Sequence, residues 1–142
     1  KLKSSKEIDN MYGGIEYISE EDMRDKLLYK RIIDISEDEI TLENGVKLSI
    51  ECTEWDCCAG GGGKFEYTPV ALDAVITDVE VGEYEPEYDG YNTRISHNTI
   101  TIFHNQNDVV RANATTDAGN GGYYYSVTSL RIGDVWFPFV EA

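Results

Sequence analysis

Residues 40–52 read ITLENGVKLSIEC, and this stretch decides the fold class of the chain. Apolar and polar residues alternate on both sides of Asn44-Gly45, and alternation with a period of two is typical of β-strands that bury one face. Asn-Gly favours the two-residue type I′ turn, because both central residues of that turn take positive φ. The stretch therefore predicts a β-hairpin over 39–52 that turns at Asn44-Gly45.

The segment before the hairpin has the pattern of a helix. Ser19 precedes three acidic residues, which suit the positive end of a helix dipole, and its hydroxyl can accept a hydrogen bond from the N3 amide. Met23 and Leu27 follow at helical spacing, with basic residues toward the far end. We therefore predict one helix, over 19–30.

Further runs that favour strands follow the hairpin, separated by segments whose glycine and proline content favours loops. The predicted strands are 71–79, 93–104, 108–115, 123–132 and 135–140, and the predicted loops are 60–63, 82–92 and 117–122. One N-terminal helix followed by six to eight short strands predicts an α+β, mostly β fold, a compact antiparallel sheet or barrel-like domain. Its core is expected to include Ile33, Ile35, Ile40, Leu42, Leu48, Ile50, Val75, Ile100, Ile102, Val127, Leu130 and Trp136.

The length of 142 residues suits one domain with a sizeable core, and 41% of the residues are hydrophobic. Residues 1–14 are polar, lack periodicity and end in two glycines, so we expect a lead-in there. A single globular domain is expected over 15–142. No apolar run approaches the 18 residues that a membrane span needs.

The net charge of −15 is unevenly distributed. Residues 1–31 carry seven basic and seven acidic residues, so the whole net charge falls on 32–142. No basic residue occurs between Lys64 and Arg94, where eight carboxylates do. Such a field repels nucleic acid and anionic membranes and attracts basic surfaces. We therefore expect a basic protein partner, no direct nucleic-acid binding and no membrane binding.

The three cysteines, Cys52, Cys57 and Cys58, lie within seven positions, which is a poor disulfide framework. Their spacing does not suit zinc, which takes four convergent ligands, and adjacent side chains on a strand point to opposite faces. We expect reduced, metal-free cysteines buried at a strand end, and a cytoplasmic protein with no cofactor.

Two tyrosine-containing segments are the candidate binding sites. The first interleaves carboxylates with tyrosines that can offer rigid contact area, although a solvated linker has the same composition. Its candidate partner-binding residues are Glu83, Tyr84, Glu85, Glu87, Tyr88, Asp89 and Tyr91. The second pairs the lysine after the glycine run 60–63 with a tyrosine cluster, and its candidate ligand-binding residues are Lys64, Tyr123, Tyr124 and Tyr125. The glycine run lacks the hydroxyl residue and the following helix of a Walker loop.

Three motifs resemble those of an uncharacterised family of small phage and bacterial proteins. They are Asp56-Cys57-Cys58, the strand-like stretch 76–80, and the Asn-Gly-Tyr-Tyr-Ser-like stretch 120–126, and the resemblance covers roughly 26–132. The resemblance brings no catalytic residues. It implies a phage or prophage context, in which short accessory proteins serve host takeover or counter-defence.

The sequence leads to two functional hypotheses. The first is a non-enzymatic, acidic binding protein, encoded by a phage, that engages a basic surface of a host protein and mimics nucleic-acid charge. The second is a protein that sequesters a small nucleotide signal in a tyrosine-lined pocket or oligomer interface. An enzyme ranks third, because neither a nucleophile–base pair nor a metal set is visible.

Overall fold

A computed structural model gives the structure of residues 14–88, 90 and 93–142. The described part of the chain contains one α-helix and ten strands in two antiparallel sheets. The elements are α1 (Glu20–Leu27), β1 (Ile32–Ile35), β2 (Ile40–Leu42), β3 (Lys47–Trp55), β4 (Gly60–Tyr67), β5 (Asp78–Val81), β6 (Glu87–Tyr88), β7 (Arg94–His104), β8 (Asn107–Asp117), β9 (Ser126–Ile132) and β10 (Val135–Glu141), with 3-10 turns at Pro69–Ala71 and Asn120–Gly122.

Sheet 1 has the strand order β1-β2-β3-β9-β10, and sheet 2 has the order β4-β8-β7-β5, with β6 also paired to β7. The two sheets pack face to face, because β9 contacts β4 and β8 while β10 contacts β7 and β8. The α+β, mostly β fold class is thus confirmed, and the two sheets of the described residues do not close into a barrel. The part of the chain that the structure describes forms ten strands, where six to eight were expected. The predicted lead-in, except for Gly14, lies outside the described residues.

The hydrophobic core fills the space between the sheets and beneath α1, which contributes Met23 and Leu27. Seven of the twelve expected core residues are buried: Ile40, Leu42, Leu48, Ile100, Ile102, Val127 and Leu130. Four others are only partly buried, namely Ile35, Ile50, Val75 and Trp136. Ile33 was wrongly placed in the core, because it is 46% exposed on β1, an outer strand of sheet 1.

The helix forms where its cap predicts it. The backbone N–H of Asp22 donates to Ser19 Oγ at 3.1 Å, which satisfies one of the free amides of the first turn. The helix ends at Leu27, three residues before the predicted end. It ends there because the chain turns into an antiparallel contact, in which the N–H of Tyr29 donates to Ile76 O at 2.7 Å.

The hairpin is confirmed, but its turn is of another type. Leu42 O accepts from the N–H of Gly45 at 2.9 Å, and the N–H of Leu42 donates to Val46 O at 2.9 Å. Gly45 has a φ of +84°, whereas Asn44 does not take a positive φ. This is a three-residue loop, in which a type I turn is followed by a left-handed glycine, and not the predicted type I′ turn.

The glycine run was wrongly predicted to be a loop. Gly60–Tyr67 forms strand β4, which pairs residue for residue with β8. A Cβ atom on Gly61 would lie 2.6 Å from Thr116 Oγ1, and one on Gly63 would lie 2.8 Å from Ile50 Cγ2. Glycine occupies these positions because the β4 backbone lies too close to its neighbours for a side chain.

Two predicted strands begin later than expected. The 71–79 segment starts in a 3-10 turn that contains Pro69, and β5 begins only at Asp78. The 123–132 segment becomes a strand at Ser126, after a turn in which Gly119, Gly121 and Gly122 take positive φ. The three tyrosines before Ser126 therefore lie outside the strand.

Candidate binding surface at the edge of sheet 2

The acidic segment forms one edge of sheet 2. Strands β5 and β6 both pair with the same side of β7, and residues 82–86 connect them. The N–H of Gly82 donates to Thr99 O at 2.9 Å, and Asn98 Nδ2 donates to Gly82 O at 3.0 Å. A Cβ on Gly82 would lie 2.6 Å from Asn98 Oδ1, so glycine is needed for this close approach. We call residues 78–88 the acidic edge.

All five carboxylates of the acidic edge are exposed: Asp78, Glu80, Glu83, Glu85 and Glu87. Asp78 forms an ion pair, since Arg24 Nη2 lies 2.7 Å from its Oδ1. This hydrogen bond holds the pKa of the Asp78 carboxyl below its ordinary value. Within the described residues, the other four have no lysine, arginine or histidine within ion-pairing distance.

A cleft of about 490 Å³ lies at the β5 end of the acidic edge. Asp78 and Glu80 supply its charge, Phe103 supplies an aromatic wall, and Asn105 and Gln106 supply polar groups from the β7–β8 turn. Such a cleft can receive a long basic side chain, because its stem packs on an apolar wall while its head meets carboxylates.

The structure places most of the predicted partner-binding residues on the acidic edge. Glu83, Glu85 and Glu87 point to solvent, and Tyr88 is 75% exposed. Asp89 and Tyr91 lie outside the described residues.

Tyr84 has an anchoring position in place of the predicted exposed one. The backbone N–H of Glu141 donates to Tyr84 Oη at 3.0 Å, and Tyr84 packs against the hydrophobic core. Burial raises the pKa of Tyr84, and the negative charge of Glu141 adds to the effect. This tyrosine therefore ties the acidic edge to β10.

The predicted ligand-binding residues are not brought together. Lys64 Nζ lies 3.1 Å from Glu37 Oε2, and that carboxylate raises the pKa of Lys64. Gly60 O accepts from Ser126 Oγ at 3.1 Å, which places the tyrosine segment at the start of β4. Lys64 lies four residues further along the strand, about 13 Å away at ~3.3 Å per residue.

Each of the three tyrosines has a different environment. Tyr123 is 90% exposed. Tyr124 is partly buried and its N–H donates to Ala118 O at 3.0 Å. Tyr125 donates its hydroxyl to Glu54 Oε1 at 3.2 Å. Because they lie before β9, their rings do not alternate between the two faces of a strand.

Sequence reasoning missed a buried polar network around Glu54, a carboxylate with no exposed surface. Tyr17 Oη donates to Glu54 Oε2 at 2.6 Å and lies 2.8 Å from Thr53 Oγ1, which lies 2.8 Å from Ser129 Oγ. Burial raises the pKa of Tyr17, and its hydrogen bond to Glu54 adds to the shift. Glu54 follows a bulge in β3 between Cys52 and Glu54, and no residue pattern in the sequence announces this bulge.

Among the described residues, neither a metal-binding cluster nor a membrane-spanning helix accompanies the acidic edge. In this part of the chain, no group of three or more histidine, cysteine or acidic side chains is placed to hold a metal ion. Nor does any helix there have the length and apolar character to cross a membrane.

Fold and surface define an acidic domain of two packed antiparallel sheets. The chain belongs to the DUF7448 family, a domain of unknown function whose family model matches residues 25–131. This range runs from α1 into β9 and contains the whole acidic edge. The expected membership of an uncharacterised family is thereby confirmed. No curated protein and no solved structure matches the chain.

Proposed function

We propose that this protein is a non-enzymatic binding protein that engages a basic surface of another protein through its acidic edge. The observation that carries the proposal is the set of four exposed carboxylates, Glu80, Glu83, Glu85 and Glu87, without ion-pair partners among the described residues. Asp78 is already paired with Arg24, so it contributes less to the field. Uncompensated charge of one sign speeds the encounter with an oppositely charged partner.

The adjoining cleft supports an arginine or lysine as the central contact of the partner. Asp78 and Glu80 line this cleft together with Phe103. Exposed Tyr88 adds aromatic area at the other end of the edge. Interfaces gain most of their affinity from a few anchored residues, among which arginine and tyrosine are enriched.

We propose further that the partner is a host protein in the cytoplasm of an infected or lysogenic bacterium. The protein would act in host takeover or counter-defence, with its carboxylates occupying phosphate sites of a nucleic-acid-binding target. The resemblance of the Asp-Cys-Cys and tyrosine motifs to small phage and bacterial proteins supports this setting.

A different explanation of the charges makes the proposal testable. Edge strands expose unpaired backbone groups, and charged side chains on an edge prevent aggregation between sheets. If this were the only role, neutralising the acidic edge would increase self-association without removing any partner.

The test compares two variants with equal charge change. The edge variant carries Glu80→Gln, Glu83→Gln, Glu85→Gln and Glu87→Gln. The control variant carries Glu16→Gln, Asp38→Asn, Glu43→Gln and Asp134→Asn. The control positions are exposed and lie on or beside sheet 1. Each is used to capture proteins from bacterial lysate at low salt and at about 0.5 M salt, where charges are screened within a few ångströms. We expect a basic protein that wild type and control capture at low salt only and that the edge variant loses. A capture profile identical for all three proteins would refute the proposal.

A further inference from the structure

Two cysteines lie exposed in the turn between β3 and β4. Cys57 and Cys58 are free thiols, and the expectation that they are buried at a strand end is wrong. Cys57 has a φ of +44°, and the N–H of Ala59 donates to Asp56 O at 2.8 Å to close the turn. The rule that neighbouring side chains point to opposite faces applies to strands and not to this turn.

Cys58 and Tyr124 lie on either side of Gly119, since a Cβ there would lie 2.8 Å from Cys58 Sγ and 3.2 Å from Tyr124 Cδ2. A hydrogen bond with Cys57 and the charges of Cys57 and Cys58 raise the pKa of Tyr124, in that order of importance. Cys58 Sγ also accepts from the backbone N–H of Asn120 at 3.1 Å. A Cβ on Gly119 would lie 2.8 Å from the same sulfur, so the glycine leaves room for the Cys58 side chain against the turn. The turn therefore fixes the Cys58 thiol, and the neighbouring Cys57 thiol is exposed in the same turn.

A disulfide between the two cysteines is disfavoured by geometry. Adjacent Cα atoms are about 3.8 Å apart across a trans peptide bond, whereas disulfides prefer about 4.4–6.8 Å. A single atom placed between the sulfurs enlarges the ring by one member and relieves this strain. Zinc would need about four ligands, and no further histidine, cysteine or acidic side chain completes such a set among the described residues.

We propose that Cys57 and Cys58 form a bidentate thiol site for a soft, thiophilic centre, for which a trivalent arsenical is the probe. In the reaction with phenylarsine oxide, two As–S bonds replace the bonds between arsenic and its oxygen. The oxygen leaves as water with both thiol protons, and arsenic stays trivalent, so no oxidant or reductant is needed. Thiolate sulfur is the ligand that soft centres prefer.

The third cysteine provides an internal control. Cys52 lies on β3, partly buried, and its thiol donates to Glu54 O at 3.5 Å. Burial raises the pKa of the Cys52 thiol, which lowers its reactivity. It is not adjacent to either of the other cysteines, so it should contribute nothing to a two-sulfur adduct.

The experiment treats the full chain with phenylarsine oxide and measures the adduct by intact mass. We expect one adduct per chain that a small dithiol reverses and that an equal concentration of a monothiol does not. Cys57→Ser and Cys58→Ser should each weaken binding at least about 100-fold, which corresponds to about 2.7 kcal/mol, while Cys52→Ser should bind like wild type. Circular dichroism checks that each variant is folded, and free Cys57–Cys58 peptide, residues 55–60, serves as the unstructured comparison. An adduct that survives in either single variant, disappears in Cys52→Ser, or forms no more tightly than with the peptide would overturn the proposal.

Discussion

The glycines of β4 offer a matched pair of substitutions on neighbouring positions. A Cβ on Gly61 would lie 2.6 Å from Thr116 Oγ1 and 2.7 Å from Thr115 O, whereas a Cβ on Gly62 meets no atom within 4 Å. Neither glycine has a positive φ, so alanine is compatible with the backbone at both positions. The two variants therefore differ in contacts and not in conformational strain.

The expected magnitudes follow from two separate effects. Replacing glycine by alanine restricts the unfolded chain and stabilises the fold by about 0.4–1 kcal/mol, which applies equally to both variants. Overpacking adds a cost of about 1–3 kcal/mol, which applies only to Gly61→Ala. The carbonyl of Thr115 is backbone, so rotation of a side chain cannot relieve that contact. We expect Gly62→Ala to be slightly more stable than wild type and Gly61→Ala to lie about 1–3 kcal/mol below Gly62→Ala.

Urea denaturation followed by circular dichroism measures this difference. The comparison requires equal slopes of free energy against urea, because a changed slope would report altered unfolded or native states. If Gly61→Ala and Gly62→Ala had the same free energy of unfolding, the close approach of β4 to its neighbours would not explain the glycine run.

Three further predictions concern the core, the helix and Tyr84. Leu48→Ala should lower the free energy of unfolding by about 2–4 kcal/mol, because Leu48 is fully buried, and a wild-type urea midpoint would contradict its place in the core. Ser19→Ala should cost about 1 kcal/mol by removing the cap on Asp22 N–H, with Ser19→Asp as the variant that should retain stability. Burial raises the pKa of Tyr84, so the folded state keeps the hydroxyl proton to higher pH than the unfolded chain does, and the free energy of unfolding falls as the pH rises above about 10. Tyr84→Phe should therefore lose less of this free energy between neutral pH and a pH of about 11. An unchanged loss of free energy would argue against the buried hydroxyl.

Local signals account for the parts of the fold that the sequence predicts well. The cap at Ser19 and the Asn44-Gly45 turn act within a few residues, and both elements form where expected. The turn type could not be predicted, because the two-residue and three-residue loops differ only in how β2 and β3 align. The register pairs Ile40 with Leu48 and leaves three residues in the loop.

Contacts between distant residues account for what the sequence does not predict. Glycine disfavours strands, so β4 is recognisable only from the close approach of its backbone to Thr116 and Ile50. Tyr84 looks like an exposed loop residue until β10 supplies the N–H of Glu141, 57 positions away. The burial of Glu54 likewise depends on Tyr17, before α1, and Tyr125, just before β9, which are far apart in the sequence.

The rate at which the partner associates measures the contribution of the acidic edge to binding. The partner captured at low salt is purified, and its rate constant for association is measured against salt concentration with wild type, the edge variant and the control variant. We predict that the edge variant associates roughly tenfold or more slowly at low salt and has a flatter salt dependence, while the control variant stays close to wild type. Equal rates and equal salt slopes for the edge and control variants would contradict a specific role of the acidic edge, since net charge alone would then govern the encounter.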